Sequence, residues 1–213
     1  MIIVQSDNLI EAAKRTFLKL YDGEPNRSDP SIFREDVAVI QVSEPDKQEP
    51  AFELRENKLY YIGDYLKYYP DMDKDLPRIE QEHFTEILLE PGHIDAITDH
   101  LKQHPDSRRG LVSTWAPKYL LHPKQSGVCI TQLYFRMKDG RLEVHSHSRA
   151  NDAYRLLLLD MQLSTWAQQE IAGRLGVDIG EYIHFVDSLQ LYSKNSDAIK
   201  RQRTYVLSAP AWQ

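Results

Sequence analysis

Apolar side chains recur every three to four positions in three segments of this chain, the spacing that gathers them on one face of an α-helix. Helices are therefore predicted over residues 7–21, 93–103 and 161–175. Asp7 and Asn8 supply N-caps for the first helix, since a side-chain oxygen there can accept from the unpaired N–H groups of the first turn. Pro105 ends the second helix, and Gly176 closes the third as a C-cap.

Elsewhere apolar and polar residues alternate, which is the period of a half-buried β-strand. The alternation predicts strands over residues 36–43, 110–115 and 181–192, and a hairpin over 128–149. Asp139-Gly140 marks the hairpin turn, because Asp-Gly between alternating runs is the strongest short signal for a two-residue turn. This mixture of helices and strands predicts an α/β protein.

The remaining segments lack a clear period. Residues 44–51 are polar and contain prolines, which is typical of a loop, and residues 59–69 are rich in tyrosine and fit either a helix or a strand. Residues 70–92 combine prolines with many acids and are predicted to be irregular, with a short helix at most. Residues 193–213 form a short polar tail.

Composition narrows the class of protein. The chain has 213 residues, of which 41% are hydrophobic, enough for one domain over residues 1–213 with a substantial core. A net charge of -6 argues against sequence-independent binding to a nucleic-acid backbone. No apolar run reaches membrane-spanning length, and the N-terminus lacks the regions of a signal peptide, so a cytoplasmic protein is predicted.

Cys129 is the one cysteine in the sequence, which excludes an internal disulfide and a multi-cysteine zinc site. Three arginines and two carboxylates surround it along the chain: Arg108, Arg109, Arg149, Asp152 and Asp160. Guanidinium groups can clamp a phosphate by paired hydrogen bonds and lower the pKa of a thiol. The pattern favours a nucleophile acting on an anionic substrate, although a lone cysteine can equally be a small buried apolar residue.

The segment from His93 to Tyr192 resembles the thymidylate synthase family, which includes the deoxycytidylate and cytidylate hydroxymethylases. The matching motifs are Pro-Asp-Ser-Arg-Arg at 105–109, Trp115, Cys129, Arg149-Ala150-Asn151-Asp152 and Tyr192. The resemblance implies the thymidylate synthase fold, an α+β arrangement with a mixed twisted sheet and flanking helices.

The family also implies a role for each matching residue. The Cys129 thiolate would add to C6 of a pyrimidine, and C5 would then attack a methylene carried by 5,10-methylenetetrahydrofolate. The nucleotide would be held by Arg108, Arg109, Arg149, Asn151, Asp160 and Tyr192, with Tyr192 on the sugar. Asp152 would face the folate, although it can equally be a turn residue. The family implies a homodimer in which Arg108 and Arg109 cross the interface; taken alone, they are a solvated charge pair.

Several positions depart from the family pattern. Ile130 follows the cysteine where the family usually has histidine, Ala150 replaces a serine that contacts phosphate, and Gln190 replaces a histidine. The N-terminal third contains no segment that matches the family's general-base glutamate. Asp64, Glu53 and Glu56 are candidate replacements, of which Asp64 is taken as the catalytic candidate.

Asp160 discriminates most sharply between substrates. Thymidylate synthases have asparagine at this position, and its amide can pair with O4 and N3–H of uracil. A carboxylate instead accepts from the amino group of cytosine and can share a proton with N3, whereas facing uracil O4 it would set acceptor against acceptor. The hydroxymethylases that act on cytosine nucleotides resemble this chain in having aspartate here. Asp160 also precedes the predicted third helix, where it would serve as an N-cap.

The predicted function is therefore C5 hydroxymethylation or methylation of dCMP or CMP. The alternatives are a thymidylate synthase acting on dUMP and a non-catalytic relative that binds a nucleotide. His145 and His147 alternate on one strand; they are interpreted as a solvated or interface face rather than as metal ligands, because no third ligand stands at a telling spacing.

Overall fold

A computed structural model describes residues 1–47, 52–55, 58–61, 92–116, 120 and 129–208 of the chain, with backbone only over 52–55 and 58–61. The elements in chain order are β1 (Ile2–Ser6), α1 (Leu9–Tyr21), β2 (Ile32–Val42), β3 (Phe52–Arg55), β4 (Lys58–Tyr61), α2 (His93–Gln103), β5 (Leu111–Ser113), β6 (Ile130–Lys138), β7 (Arg141–Ser148), β8 (Asn151–Asp152), α3 (Leu157–Leu175), β9 (Asp178–Tyr192), a 3-10 turn (Ser193–Asn195) and α4 (Ser196–Ser208). The α/β prediction is confirmed.

The main sheet is mixed, as predicted. Its strand order is β1-β2-β9-β7-β6-β5, and the short β8 pairs with β9 beyond the end of β7. β1 runs parallel to β2, and β9 runs parallel to both β7 and β8. The β2–β9, β7–β6 and β6–β5 pairs are antiparallel. β3 and β4 form a separate antiparallel pair.

The core lies between one face of this sheet and the helices. The long strands of the main sheet largely alternate buried with more exposed residues, so the pairing register aligns the buried ones in rows across the sheet. One such row contains Val4, Ile40, His184, Ser146 and Leu133. Helix α1 packs on β1 and β2, α3 packs on β6, β7 and β9, and α2 packs against α3.

The strongest local predictions are confirmed. Asp139 (φ 51°) and Gly140 (φ 75°) both adopt the left-handed conformation at the hairpin turn. The Asn8 side chain caps α1 by accepting from the Glu11 backbone N–H at 2.8 Å. Gly176 ends α3 with φ 70°, where a side chain would be strained.

The predicted start of the third helix is wrong. α3 begins at Leu157, and its N-cap residue, Leu156, makes no side-chain capping bond. The leucine run at 156–159 hid this turn because apolar residues at every position have no helical period. Asp160 therefore lies inside the helix, in its first turn, and the interpretation of Asp160 as an N-cap is wrong.

The polar tail contains a helix that was not predicted. α4 buries only Ile199 and Gln202 of its thirteen residues, too few for a readable period. Strand β1 was also missed, and β2 and β9 begin before the predicted strands. In the tyrosine-rich segment 59–69, residues 59–61 belong to strand β4, while residues 62–91 lie outside the described part of the chain.

Candidate functional site

The β6–β7 hairpin brings Cys129 and Arg149 together. Cys129 directly precedes β6 and Arg149 directly follows β7, and the Arg149 backbone N–H donates to the Cys129 carbonyl at 3.1 Å. A shift in register between Ile130 and Gln132 reshapes the strand end beside the thiol. The Arg149 guanidinium lies over the Trp115 ring, 5.2 Å from its centroid. The structure thus places Cys129 and Arg149 side by side at the open end of the hairpin.

The thiol lies in a mainly acidic environment. Burial is the largest cause that raises the pKa of Cys129, to about 12, and the charge of Asp160 raises it further. Arg149 lowers this pKa and Asp152 raises it. Arg149 thus lowers the thiol pKa as expected, but burial and two carboxylates outweigh this one guanidinium in the single chain, and the net shift is upward.

Asp160 is a buried carboxyl group that is hydrogen-bonded to Asn151. It is 1% exposed, and its Oδ2 accepts from Asn151 Nδ2 at 2.9 Å. Burial raises the pKa of Asp160 to about 7, against the lowering effect of this hydrogen bond. Asn151 reaches Asp160 because β8 pairs with β9, where Asn151 lies opposite Leu189. At neutral pH the Asp160 side chain is therefore present partly as the carboxylate and partly as the carboxylic acid.

Asp152 has a structural task of its own. Its Oδ1 accepts from the backbone N–H groups of Tyr154 and Arg155 at 2.9 and 3.1 Å, which closes the turn leading into α3. Burial raises the pKa of Asp152 to about 6, despite these bonds and the charges of Arg155 and Lys194. The turn-residue alternative is thus correct, and Oδ1 alone makes these bonds, which leaves Oδ2 for a ligand.

Tyr192 lies near Cys129 and Asp152. The ring is half-buried, and burial raises the pKa of its hydroxyl, as do the charges of Asp152 and Cys129. Lys194 Nζ lies 5.6 Å from the ring centroid. Asp152 raises the pKa of both Cys129 and Tyr192, and Cys129 also raises that of Tyr192, so the three groups lie near one another.

Glu35 is a nearby carboxylate that sequence reasoning missed. It also raises the pKa of Tyr192, it accepts from Asn26 Nδ2 at 2.7 Å, and it accepts from Ser188 Oγ. Gln190 Nε2 donates to Ser188 Oγ at 2.7 Å, so the residue that replaces the family histidine belongs to this chain of bonds. No sequence motif signals Glu35, because the β2–β9 pairing alone brings it here.

Arg108 and Arg109 are not part of this cluster. Both are exposed on the loop between α2 and β5, and neither is among the groups that shift the Cys129 pKa. Ser107 Oγ shapes the loop by bonding to His100 Nε2 at 2.6 Å and to the Arg109 backbone N–H at 3.1 Å. Gly110 is required, since a Cβ there would lie 2.2 Å from the Phe135 carbonyl oxygen. Within one subunit the two arginines face solvent.

The general-base candidates fall mostly outside the structure. Asp64 and Glu56 are not among the described residues, and Glu53 is described only as backbone in β3. In the described ranges, no three His, Cys, Asp or Glu residues lie close enough together to hold a metal ion. His147 Nε2 instead pairs with Asp187 at 3.0 Å.

A buried polar array lies behind Asp160. It consists of Ser146, Ser148, Ser164, Tyr182 and His184, all buried. His184 bonds to Tyr182 Oη at 2.6 Å and to Ser148 Oγ at 2.9 Å, and burial lowers its pKa to about 3. Ser164 Oγ donates to the Asp160 carbonyl at 2.8 Å. Sequence reasoning missed this array, because its members are scattered over β7, β9 and α3.

Comparison with known proteins assigns the chain to a family. The profile of the thymidylate synthase family matches residues 79–209. The chain belongs to the thymidylate synthase family. A thymidylate synthase from Staphylococcus haemolyticus (strain JCSC1435) is 26% identical to it over 144 residues, which cover 66% of this chain and 42% of that protein. The chain thus spans less than half the length of this relative.

In the described ranges, no helix combines the length and the apolar character needed to cross a bilayer.

Proposed function

We propose that this protein transfers a one-carbon unit from 5,10-methylenetetrahydrofolate to C5 of a cytosine nucleotide monophosphate, dCMP or CMP. The observation that carries the proposal is the buried Asp160 carboxyl group acting on the Cys129 thiol. A nucleophile for C6 and a group that reads the pyrimidine edge are thus within electrostatic reach of each other. Hydroxymethylation is the favoured outcome, since the hydroxymethylases of this family have the same base-reading residue.

The protonation state of Asp160 suits cytosine. With a pKa of about 7, the group is available at neutral pH both as an acceptor for the exocyclic amino group and as a donor to N3. When the thiolate adds to C6, the electron pair of the C5–C6 bond moves onto C5 and into the C4–N3 system. A proton from Asp160 at N3 neutralises the charge that develops there, which makes C5 an enamine-like nucleophile.

The nucleotide phosphate needs cations that one subunit supplies only in part. Arg149 lies beside the thiol and has an electrostatic effect on it, and Ala150 offers no hydroxyl to the phosphate. We assign the remaining contacts to Arg108 and Arg109 of a second subunit, because both point to solvent in their own subunit. The sugar would lie on the half-buried Tyr192 ring.

The residues present are compatible with the folate. When bound, this cosubstrate supplies the activated methylene. Asp152 would hold it, because the buried Asp152 Oδ2 is not used in the turn and a carboxylate oxygen accepts N–H donors of the kind that a pterin ring carries.

Methylation of dUMP is the second candidate, and the similarity to a thymidylate synthase favours it. One assay tests both candidates: release of tritium from C5-tritiated dCMP, CMP and dUMP, with and without the folate. Folate-dependent release from a cytosine nucleotide is expected. Preference for dUMP would support the second candidate, and no release from any nucleotide would leave a non-catalytic nucleotide-binding protein.

The proposed dimer has a candidate surface on the sheet. The face opposite the helices contains one cross-strand row, Ile3, Val39, Phe185, His147 and Gln132, which we call the open face. These side chains are exposed or half-buried, and Phe185 is 39% exposed. We propose that a second copy of the chain covers the open face, because the arginine contacts require a partner and apolar side chains exposed on a sheet are characteristic of interfaces.

Phe185→Glu should therefore shift the protein from dimer to monomer in sedimentation equilibrium, since a buried carboxylate without a partner opposes association. The matched control is Leu207→Glu, which adds the same charge at a residue that is 57% exposed on α4 and should stay dimeric. A Phe185→Glu protein that remains dimeric would place the interface elsewhere.

Mixing two inactive variants should restore activity if the arginines cross the interface. Subunits with Arg109→Ala keep Cys129, and subunits with Cys129→Ser keep Arg109, so each hybrid dimer contains one site with both groups. Random exchange makes half of the dimers hybrid, so roughly a quarter of the wild-type sites should reappear in the tritium assay.

A second mixture should lose activity where the first regains it. Wild-type subunits mixed with subunits that have both substitutions form hybrids without any complete site in the crossed arrangement, so activity per wild-type subunit should fall by about half. If each subunit used its own Arg109, that activity would not change and the first mixture would stay inactive.

A further inference from the structure

The Asn151 side chain has a buried oxygen without a partner. The residue is 2% exposed, its Nδ2 donates to Asp160 Oδ2, and its Oδ1 makes no hydrogen bond to the part of the chain that the structure describes. Leaving a buried acceptor unsatisfied costs about 1–3 kcal/mol, so such an atom calls for a partner that arrives from outside. Asn151 is hydrogen-bonded to Asp160, the residue proposed to read the base.

The orientation of the Asn151 amide is fixed while Asp160 is ionised. If the amide were turned around, its oxygen would face the Asp160 carboxylate, acceptor against acceptor. The Asn151–Asp160 hydrogen bond therefore holds Asn151 Oδ1 away from the carboxylate. It also occupies Asp160 Oδ2, so a proton on Asp160 resides on Oδ1, the oxygen that Asn151 does not contact.

We propose that Asn151 is a second specificity-determining residue, whose Oδ1 accepts a hydrogen bond from the exocyclic amino group of cytosine while Asp160 Oδ1 serves ring N3. This inference rests on the proposed function. The base edge is then recognised by two side chains, Asn151 and Asp160, whose relative position is fixed by the hydrogen bond between them. Uracil would be rejected at both, because its O4 is an acceptor facing Asn151 Oδ1 and its N3–H is a donor facing a protonated Asp160.

The test removes the amide without emptying its volume. Asn151→Leu should reduce the ratio of kcat/KM for dCMP to kcat/KM for dUMP by about ten- to a hundredfold, the range for a lost buried hydrogen bond. Gln162→Leu is the matched control, because Gln162 is also a buried amide whose oxygen lacks a partner in the described structure, two residues after Asp160. It should keep the wild-type ratio.

A substrate analogue isolates the proposed contact. The deoxynucleotide of pyrimidin-2-one lacks the exocyclic amino group, so wild-type protein should bind it about ten- to a hundredfold more weakly than dCMP, measured by titration calorimetry. With Asn151→Leu the two ligands should bind almost equally. Equal sensitivity to the missing amino group in wild type and variant would overturn the role of Asn151.

The outcomes separate this inference from the proposed function. A wild-type protein that prefers dUMP overturns the cytosine assignment and this inference with it. A wild-type protein that prefers dCMP, together with an Asn151→Leu variant that keeps that preference, overturns this inference alone. Should Asn151→Leu fail to fold, Asn151→Ala is measured in the same way, and an unchanged preference for dCMP in that variant counts against Asn151.

Discussion

Cys129→Ser is expected to abolish turnover while nucleotide binding stays nearly intact. In the proposed mechanism the thiol forms the covalent bond to C6 but does not contact the phosphate, so only the chemical step would lose its nucleophile. A serine hydroxyl ionises far less readily than a thiol, and we expect tritium release to fall by at least about a thousandfold. Titration calorimetry with dCMP should give an affinity within a few-fold of wild type.

The raised pKa of this thiol gives the same prediction a second readout. At about 12, it leaves Cys129 almost wholly protonated at neutral pH in the isolated chain. Alkylation by iodoacetamide should therefore be slow at pH 7 and accelerate as pH rises. Mass spectrometry reads this reaction cleanly, because no other cysteine is present. Full turnover by Cys129→Ser would exclude the covalent mechanism.

In the proposed mechanism, the nucleotide would take part in activating the Cys129 thiol. Two carboxyl groups contribute to the raised thiol pKa, and a proton that Asp160 holds at the base edge removes one of those negative charges. Arginines of a second subunit at the phosphate would add positive charge that one chain lacks. The thiolate would then form only in an occupied, assembled site, which protects the cysteine from other reactions in the empty enzyme.

Elements with strong local signals could be predicted from the sequence. The α2 helix and the Asp139-Gly140 turn depend on residues within a few positions of one another, and both were predicted correctly. The prediction of where α3 begins failed because the leucines of its first turn are all buried and show no helical period. The α4 helix is held by the few residues that it packs into the core rather than by its own pattern.

The candidate site likewise combines features that could be predicted from the sequence with features that could not. Cys129 and Arg149 could be paired from sequence, since a hairpin joins them. The Asn151–Asp160 bond, the position of Glu35 and the buried polar array depend on how β8 and β9 pair and how α3 packs, which no short motif encodes. The raised thiol pKa also escaped prediction, because it comes from burial, and burial is a property of the assembled core.

Asp160→Asn should shift the base preference from cytosine toward uracil. An asparagine amide can accept from N3–H of uracil, whereas a protonated carboxyl group sets a donor against that N3–H. One base gains a buried hydrogen bond and the other loses one. The ratio of kcat/KM for dUMP to that for dCMP should therefore rise, by the equivalent of about 1–3 kcal/mol in transition-state free energy. The tritium assay with both nucleotides measures it.

Stability is the necessary control, and its expected sign follows from the pKa of Asp160. Burial raises that pKa to about 7, well above the ordinary value of an aspartate, so the folded protein holds more protons than the unfolded chain between the two pKa values. The free energy of unfolding of wild type therefore loses the contribution of this group as pH rises from about 4 to 7. Asp160→Asn lacks that loss, so it should gain stability relative to wild type over the same range. An unchanged base preference in this stable variant would return the protein to the thymidylate synthase or the non-catalytic interpretation.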